Sequence, residues 1–455
     1  MSAIPDLIKI GSIPTDMEVS VDSDILEPVV NTNSFIRFQL QNKGFMNSFS
    51  KIILGCNALT GSAKFHTYPL NVGISALVER ATLKVGAKTI SEVEDFGHFM
   101  AYKSLFIDQA QTLEREQVIT GRNTALELRY DNASGSFSDF NASSYGLSNG
   151  LCYTQDGQTA MTRHGLLPYR WQEMENAPQF QIALADLFPF LRFNSLPLYM
   201  FDEPISVELT MNTTAGQRQV GPDATETLTL DSNAVKLIAD YIYYDGDTME
   251  QFANANRNMN FQYVDYQLNK RSLTKAQAET KQILNVGGAG RVVSKMFHAI
   301  SRDGVGAGNI LNVYHAQAPT LTTTDGARQV GIMTTNVRYN DKYLYPLDRI
   351  SNAVHFHDIT STEATPPHVS RDMYDRGGGT ITHEDYNNLP QNSHIRGKFY
   401  WNANRLNRNE RINSRGIELE LKFSQINDSN HTHRCYIEVI KQAQLNNGKL
   451  DIAFA

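Results

Sequence analysis

Apolar and polar side chains alternate without a break through Ile205–Met211. The apolar members fall on every second position, and they are Ile205, Val207, Leu209 and Met211. Side chains of a strand point to opposite faces in turn, so this pattern predicts a half-buried strand. Upstream, residues 180–184 alternate too. The apolar run at 187–193, interrupted by Pro189, predicts a short turn or helical segment between these two strands.

The same alternation returns near the C-terminus, at Ile417–Phe423. Ile417 follows Ile205 by 212 residues, which is close to half of the 455-residue chain. Two further pairs of segments fit this offset, 77–86 with 291–300 and 235–243 with 435–440. An internal repeat of this length indicates a duplicated domain. The other interpretation is that any all-β chain of this length contains some alternating strands at similar spacings.

Further strands are predicted where short apolar runs alternate or are bounded by turn residues. They fall at residues 35–40, 52–54, 81–90, 261–268, 310–314, 354–359 and 398–402. The composition fits sheets with long connections, since the chain contains 22 Phe, 20 Tyr and 30 Gly. The predicted fold class is therefore all-β.

One helix is predicted directly after the strand region at 81–90. Ser91 and Glu94 have the spacing of a capping box, and Val93, Phe96 and Met100 follow at helical spacing. Such a helix would be an insertion between strands, with its apolar side packed on its own domain. A second helical segment is expected in the Asn-rich linker at 248–260.

Two long segments lack the apolar residues that a core requires. Residues 130–162 are rich in Asp, Asn, Ser and Gly, and residues 360–390 contain a Pro pair and three successive glycines. Both are predicted to be exposed loops. Residues 1–30 combine short apolar and acidic pieces, which predicts an extended arm or an edge strand.

The length and charge of the chain limit its organisation and its partners. A chain of 455 residues indicates two domains. We predict an N-terminal arm at 1–30, a first domain at 31–247 and a second at 248–455. The net charge of −7 supplies no basic field for a nucleic-acid backbone, so direct sequence-specific nucleic-acid binding is not expected.

The cysteines and the N-terminus indicate the compartment. Cys56, Cys152 and Cys435 are odd in number and far apart, which predicts reduced, mostly buried thiols. The N-terminus lacks the pattern of a signal peptide, and no apolar run reaches transmembrane length. These features predict a soluble protein that is not exported by a cleaved signal.

Two histidine pairs are candidates for metal binding. His355 and His357 would share one face of a strand, with Asp358 beside them, but a third ligand at useful spacing is missing. His431 and His433 repeat the spacing in what the sequence predicts to be a loop. We expect both pairs to be solvated polar side chains.

Other candidate chemistry is weaker. The glycine-rich segment at 286–290 resembles a phosphate cradle, but it leads to a strand rather than a helix and is expected to be a turn. A nucleophile elbow or a distinct carboxylate pair is missing from the sequence. The segment from Arg405 to Arg415 holds four Arg and one Glu. It could contact an acidic neighbour, a membrane surface or nucleic acid, or form a solvated turn.

Two stretches carry a resemblance to a known family. Residues 77–90 contain an apolar strand, a turn at Gly86 and Ile90 before the predicted helix. Residues 180–211 contain an apolar strand, Asp-Leu-Phe, Leu-Pro-Leu and the alternating strand. Both are similar to the double jelly-roll major capsid proteins of icosahedral double-stranded DNA viruses. The length resembles that of the shorter members, from virophage-like and polinton-like viruses.

The resemblance implies two tandem eight-stranded antiparallel jelly rolls with helical and loop insertions. It also implies homotrimeric capsomers, because three chains with two similar rolls each present six similar edges. Capsomers would tile the virion shell, with penton and minor capsid proteins as further partners. The resemblance allows an internal membrane beneath the shell but does not imply one. The segments 130–162 and 360–390 would form outer towers or trimer contacts.

We therefore expect a structural virion protein that assembles with itself in the host cell. On this interpretation the chain is not an enzyme and needs no catalytic residue, metal or cofactor. The alternative is a carbohydrate-binding or adhesive β-sandwich, such as a virion spike or fibre. The aromatic and Asn-rich loops suggest this alternative. A third interpretation is an enzyme on a β scaffold that uses His355 or His357.

Overall fold

The computed structural model describes residues 19–56, 65–66, 68, 72–103, 119–121, 153–154, 180–192, 195–214, 229–273, 281–302, 320–322, 328–330, 333–345, 362, 402–407, 409–423 and 430–454. The strands of the first half are β1 (Val19–Leu26), β2 (Val30–Asn31), β3 (Phe35–Leu40), β4 (Phe45–Met46), β5 (Lys51–Leu54), β6 (Phe65–His66), β7 (Val78–Val85), β8 (Lys88–Glu94), β9 (Tyr153–Thr154), β10 (Phe180–Ala183), β11 (Leu196–Pro197), β12 (Ile205–Met211) and β13 (Lys236–Tyr244).

The strands of the second half are β14 (Asn258–Leu273), β15 (Lys281–Gly287), β16 (Val293–Arg302), β17 (Thr320–Thr322), β18 (Arg328–Val330), β19 (Met333–Tyr339), β20 (Lys342–Tyr343), β21 (Asn402–Arg405), β22 (Ile417–Phe423), β23 (His431–Asn446) and β24 (Lys449–Phe454). The α-helices described are α1 (Phe96–Lys103), α2 (Leu184–Leu187) and α3 (Gly246–Ala255), and 3₁₀ turns lie at Gly73–Leu77, Pro189–Arg192 and Leu198–Met200.

The first half is a sandwich of two antiparallel sheets. In the β13 sheet, β13 pairs with β1 on one side and with β4 and β5 on the other, and β10 pairs with β5. In the β12 sheet the order is β2-β3-β12-β7-β8. The chain crosses from one sheet to the other several times, for example from β3 to β4 and from β12 to β13, as in a jelly roll.

The second half repeats this order. In the β23 sheet, β23 lies between β14 and β16, and β21 follows β16. The β22 sheet has the order β15-β22-β19-β20. The strands of the two halves correspond in order. In the β23 sheet, β14 corresponds to β1, β23 to β13, β16 to β4 and β5, and β21 to β10. In the β22 sheet, β15 corresponds to β3, β22 to β12, β19 to β7, and β20 to β8. The predicted fold class, two tandem antiparallel jelly rolls, is confirmed.

The predicted repeat was right for two strands and wrong for one. β12 and β22 occupy the same place, as do β13 and β23. The segment at 291–300, however, forms β16 beside β23 and is not the counterpart of β7. The counterpart of β7 is β19, which pairs with β22 as β7 pairs with β12. The two segments have similar apolar content, but the local sequence of a strand does not determine which strand pairs with it.

One continuous apolar cluster fills both sandwiches. Its members are the inward residues of the alternating strands, such as Val207 and Leu209 on β12 and Leu419 and Leu421 on β22. Cys56 and Cys435 are buried thiols outside any disulfide, as predicted, and burial raises the pKa of the Cys435 thiol. Cys152 lies outside the described residues.

The helical predictions were partly right. The apolar run at 187–193 contains the end of α2 and a 3₁₀ turn. The linker contains α3. Asp245 caps the N-terminus of α3, because its carboxylate accepts a hydrogen bond from the Thr248 N–H at 2.8 Å. The capping box at Ser91 was wrong, because Ser91 and Glu94 belong to strand β8 and the helix begins at Phe96.

Several predicted features lie outside the described residues. They are the strands at 310–314 and 354–359, most of 398–402, and nearly all of the loops at 130–162 and 360–390. Of the N-terminal 30 residues, the described part forms β1 at the edge of the β13 sheet and the short strand β2.

Candidate functional site: the junction between the two halves

Helix α1 and strand β8 of the first half pack on the outer face of the β23 sheet. The Phe99 ring lies 4.9 Å from that of Tyr266 and 5.6 Å from that of Tyr436, measured between centroids. Tyr102 stacks on Phe297 at 3.8 Å. We expected this helix to pack on its own domain, and it does pack on β7 and β8, but it also packs on the second half. Six of its eight residues are buried because both halves cover it.

A single cation sits among these rings. The Lys103 ammonium at the end of α1 lies 5.2 to 5.8 Å from the centroids of Phe99, Tyr102, Tyr266 and Phe297. An ammonium group at this range is attracted to the negative ring faces. The aromatic layer therefore has both an apolar and an electrostatic contribution.

Asp95 links the end of β8 to the second half. Its carboxylate accepts hydrogen bonds from Arg434 Nε and His98 Nδ1, each at 2.5 Å, and Lys270 Nζ lies 3.3 Å away. The Tyr436 hydroxyl donates to the Asp95 carbonyl oxygen at 2.8 Å. Burial alone would raise the pKa of Asp95, but the surrounding cations hold it well below its usual range. The carboxylate stays charged.

A second buried carboxylate, Asp265 on β14, joins the halves at the middle of β8. It accepts hydrogen bonds from the Ser91 hydroxyl at 2.7 Å and from Lys441 Nζ at 2.5 Å. The Tyr263 hydroxyl donates to the Ile90 carbonyl oxygen at 2.7 Å. Burial raises the pKa of Asp265, while Lys441 and Ser91 oppose that shift. Ser91 thus serves a strand-to-strand contact and not a helix cap.

A third carboxylate, Glu438, supports the aromatic layer from within the β23 sheet. It accepts hydrogen bonds from the Tyr266 hydroxyl at 2.6 Å and from the Ser294 hydroxyl, and Lys295 Nζ lies at 3.4 Å. Burial would raise the pKa of Glu438, but Lys295 and the two hydroxyl donors lower it overall. These bonds fix the Tyr266 ring on which Phe99 packs.

The rim of the junction is formed by hairpin turns. Lys88, which follows the β7–β8 turn, donates to the Leu450 carbonyl oxygen and pairs with the Asp451 carboxylate. The Asp202 N–H donates to the Gly448 carbonyl oxygen at 3.0 Å. Gly448 has φ +79°, a backbone conformation that side chains other than glycine rarely adopt, and a Cβ at that position would also have to displace the Asp202 carboxylate. The positive φ therefore favours glycine in this turn.

A groove of about 580 Å³ runs along the junction between β8, β14 and the turn after β15. Its lining includes Glu92, Glu94, Arg291 and the Asp265–Lys441 pair, so both signs of charge are present. The glycine-rich segment at 286–290 forms one wall and leads into β16. This mixture of charges does not favour a phosphate or any single ion.

The histidine predictions need one correction. His431 and His433 were expected to be solvated in a loop, but both are buried in strand β23. His433 Nε2 lies 3.3 Å from His298 Nδ1 on the neighbouring strand. Burial, helped by the charge of Arg434, lowers the pKa of His433 to about 3, so the ring is neutral. His355 and His357 lie outside the described residues.

The basic segment from Arg405 to Arg415 follows β21 and leads to β22. Arg415 pairs with Asp341 at 2.5 Å, and the Arg411 carbonyl oxygen accepts from the Asn340 amide at 3.2 Å. The segment therefore lies against the β19–β20 turn. The described ranges contain no group of three metal-ligating side chains and no helix that is long and apolar enough to cross a membrane.

Sequence reasoning missed the buried charges of the junction. Asp95 and Arg434 are far apart in the chain, so no local spacing connects them. One signal was available, because Thr432, Arg434 and Glu438 fall on one face of β23, whereas Cys435, Ile437 and Val439 fall on the other. Polar residues on one face of a buried strand indicate a polar interface.

The chain was compared with known proteins. Neither a protein-family model nor a curated protein sequence matches it. A chain of the PBCV-1 virus capsid matches with a TM-score of 0.56 at 11% identity, and the match covers 98% of both chains. The chain has the double jelly-roll fold of viral capsid proteins.

Two more double jelly rolls are similar over most of their length. The Faustovirus major capsid protein matches with a TM-score of 0.54 at 9% identity, covering 95% of this chain and 91% of that one. A chain of the Sputnik virophage matches with a TM-score of 0.52 at 8% identity, covering 97% and 90%. Since coverage is near complete in both directions, the likeness of fold extends across both rolls.

Proposed function

We propose that this chain is a major capsid protein, located in the virion shell of an icosahedral double-stranded DNA virus. The observation that carries the proposal is a double jelly-roll fold that matches viral capsid chains end to end. Fold alone does not determine function in general. In this chain, the buried carboxylates Asp95 and Asp265 hold the two rolls together, which is a structural task.

The proposed assembly unit is a homotrimer with a pseudo-hexagonal outline. Three chains with two rolls each would place six similar units around a threefold axis. That outline requires a fixed orientation of the two rolls within a chain. The buried contacts of Asp95 and Asp265 support such an orientation, since buried ion pairs are satisfied in one geometry.

The remaining parts of the proposal concern organisation and partners. Residues 31–247 and 248–455 would be the two domains, preceded by an arm at 1–30 whose strand β1 joins the β13 sheet of the first domain. The segments 130–162 and 360–390 would form outer towers or trimer contacts. Neighbouring capsomers, penton proteins and minor capsid proteins would be the partners, and the chain would have no catalytic role.

Size-exclusion chromatography with light scattering tests this function. The purified protein should elute with three times the 51.0 kDa mass of one chain, and the trimer should persist on dilution to low micromolar concentration. A mass of one chain at every concentration would contradict the proposal. Saturable binding of a glycan by such a monomer would instead favour the adhesive alternative.

A further inference from the structure

Three loops at one end of the second roll are joined into one surface by hydrogen bonds. They are the β15–β16 turn, the β19–β20 turn and the basic segment at 405–415. The Asn340 side chain donates to the Arg411 carbonyl oxygen at 3.2 Å and accepts from the Asn413 N–H at 2.8 Å. Ile412 exchanges backbone hydrogen bonds of 2.9 Å with the β15–β16 turn. The backbone of the basic segment is therefore held in place.

This surface presents positive charge to solvent. Ile412 is buried and anchors the basic segment, whereas Arg411 and Arg415 on either side of it are exposed, as is Lys342 after the β19–β20 turn. Arg415 pairs with Asp341 at 2.5 Å. Among the residues that the structure describes, Lys342 and Arg411 have no ion-pair partner. We call Lys342, Arg411 and Arg415 the basic end.

The basic end lies away from the long connection of the second roll. Strands β15 and β19 end at it, and β16 and β22 begin from it. Strand β21 runs from Asn402 toward the basic segment. The connection that contains residues 360–390 therefore rejoins the sheet from the far end.

The first roll has the same orientation as the second. Strand β8 lies along β14, and the contacts between them advance together along both strands, so the two strands run the same way. Residues 130–162 precede β10, which begins at Phe180 opposite Leu54, the last residue of β5. Strand β5 corresponds to β16, which runs away from the basic end. Both long segments therefore rejoin the rolls at the end of the molecule opposite the basic end.

We propose that the basic end binds an anionic membrane surface beneath the shell. This inference rests on the proposed function, in which the segments 130–162 and 360–390 form outer towers and the opposite end faces the virion interior. Each Lys or Arg held near an anionic bilayer adds to the attraction, which decays within about 10 Å at physiological salt. The local charge of the end that faces the membrane therefore matters more than the net charge of −7.

A membrane fits this arrangement better than a nucleic acid does. Helix α3, with Asp247 and Glu250, packs on Phe45 of the first roll, so the basic end is confined to the second roll. A trimer would present three separate basic ends, all directed to the same side. A flat surface contacts all three at once, and their attractions combine. A nucleic acid is bound by a continuous basic track, which the distance between copies would interrupt.

Co-sedimentation of the full-length protein with lipid vesicles tests the partner. Vesicles of about three parts phosphatidylcholine to one part phosphatidylserine should bind the wild type, and added salt should weaken the binding. Vesicles of phosphatidylcholine alone should not bind it. Equal binding to both kinds of vesicle would overturn the inference. Binding to duplex DNA without binding to the anionic vesicles would overturn it too.

Two double variants locate the binding surface. Lys342→Gln with Arg411→Gln should weaken binding to the anionic vesicles by roughly tenfold or more, because every chain loses two charges at the basic end. Arg80→Gln with Arg271→Gln is the matched control, since it removes two exposed charges from β7 and β14 near the far end and should leave binding unchanged. Far-UV circular dichroism should match the wild type for both. Equal binding by the two variants would overturn the inference.

Light scattering of the same samples separates this inference from the proposed function. Trimers that do not bind anionic vesicles would overturn the inference and leave the capsid function intact. A protein that is monomeric at every concentration would contradict the proposed trimer. In that case, loss of vesicle binding in the Lys342 and Arg411 variant alone would still support the basic end as the binding surface.

Discussion

Asp95 is the residue on which the most charged contacts between the rolls converge. Its backbone lies in the left-handed region, at φ 49°, which directs the carboxylate from the end of β8 toward Arg434. Aspartate tolerates this conformation better than most residues. A buried carboxylate without its cations would cost several kcal/mol, so this group links folding of the first roll to docking of the second.

Replacing Arg434 should expose this dependence. Arg434→Met should reduce the free energy of unfolding by about 3 kcal/mol, because Asp95 would remain buried with weaker compensation. Arg415→Met is the matched control, since the Arg415–Asp341 pair is 65% and 57% exposed and should contribute less than about 1 kcal/mol. Urea denaturation of the two variants measures the difference. Equal losses would contradict this account of Asp95.

His433 should make the fold sensitive to acid. Its pKa is about 3 in the folded protein and near 6.5 when unfolded, so the unfolded chain takes up a proton first as the pH falls. The contribution of neutral His433 to the free energy of unfolding is complete above pH 6.5. It is lost as the pH falls toward 3, by up to about 1.4 kcal/mol per pH unit. Asp95 and Glu438, whose pKa values are lowered, add to the loss only below about pH 4.5.

The variant His433→Gln separates this contribution from the others. Gln retains a hydrogen-bond donor toward His298 but does not titrate. The free energy of unfolding of the variant should fall less steeply between pH 6.5 and pH 4.5 than that of the wild type. Parallel pH profiles, measured by urea denaturation, would show that His433 does not control acid stability.

At the scale of elements, α1 joins the rolls. Phe99 of this helix is 1% exposed, and its ring contacts Tyr266 and Tyr436 of the second roll. Phe99→Ala should reduce the free energy of unfolding by about 3–5 kcal/mol, the usual cost of removing a buried aromatic ring. Ile283→Ala, at an exposed position, should change it by less than about 0.5 kcal/mol. A small effect of Phe99→Ala in calorimetry would mean that the rolls are held together by other contacts.

The sequence predicted elements well where their partners did not matter. The alternation at Ile205–Met211 and Ile417–Phe423 gives the bounds of β12 and β22 as observed. The sequence predicted the environment of a residue poorly where that residue contacts a partner distant in the chain. Ser91 matched a helix cap locally, yet it bonds to Asp265 in the other roll. The sequence around His431 and His433 predicted a loop, yet both residues lie buried in strand β23 between β14 and β16.

At the scale of the whole molecule, the two rolls are held in one orientation by a single buried junction among the described residues. Helix α1 and strand β8 of the first roll cover the β23 sheet of the second. Two similar rolls in a fixed orientation would let three chains form a ring of six similar units. The double jelly-roll resemblance anticipated this arrangement, but the residues of the junction required the structure.

Negative-stain electron microscopy of the purified full-length protein tests the central claim most directly. The account predicts class averages with threefold symmetry and a hexagonal outline, in which six similar lobes correspond to two rolls from each of three chains. Particles of a single two-lobed chain, or rings of any other number of chains, would contradict it.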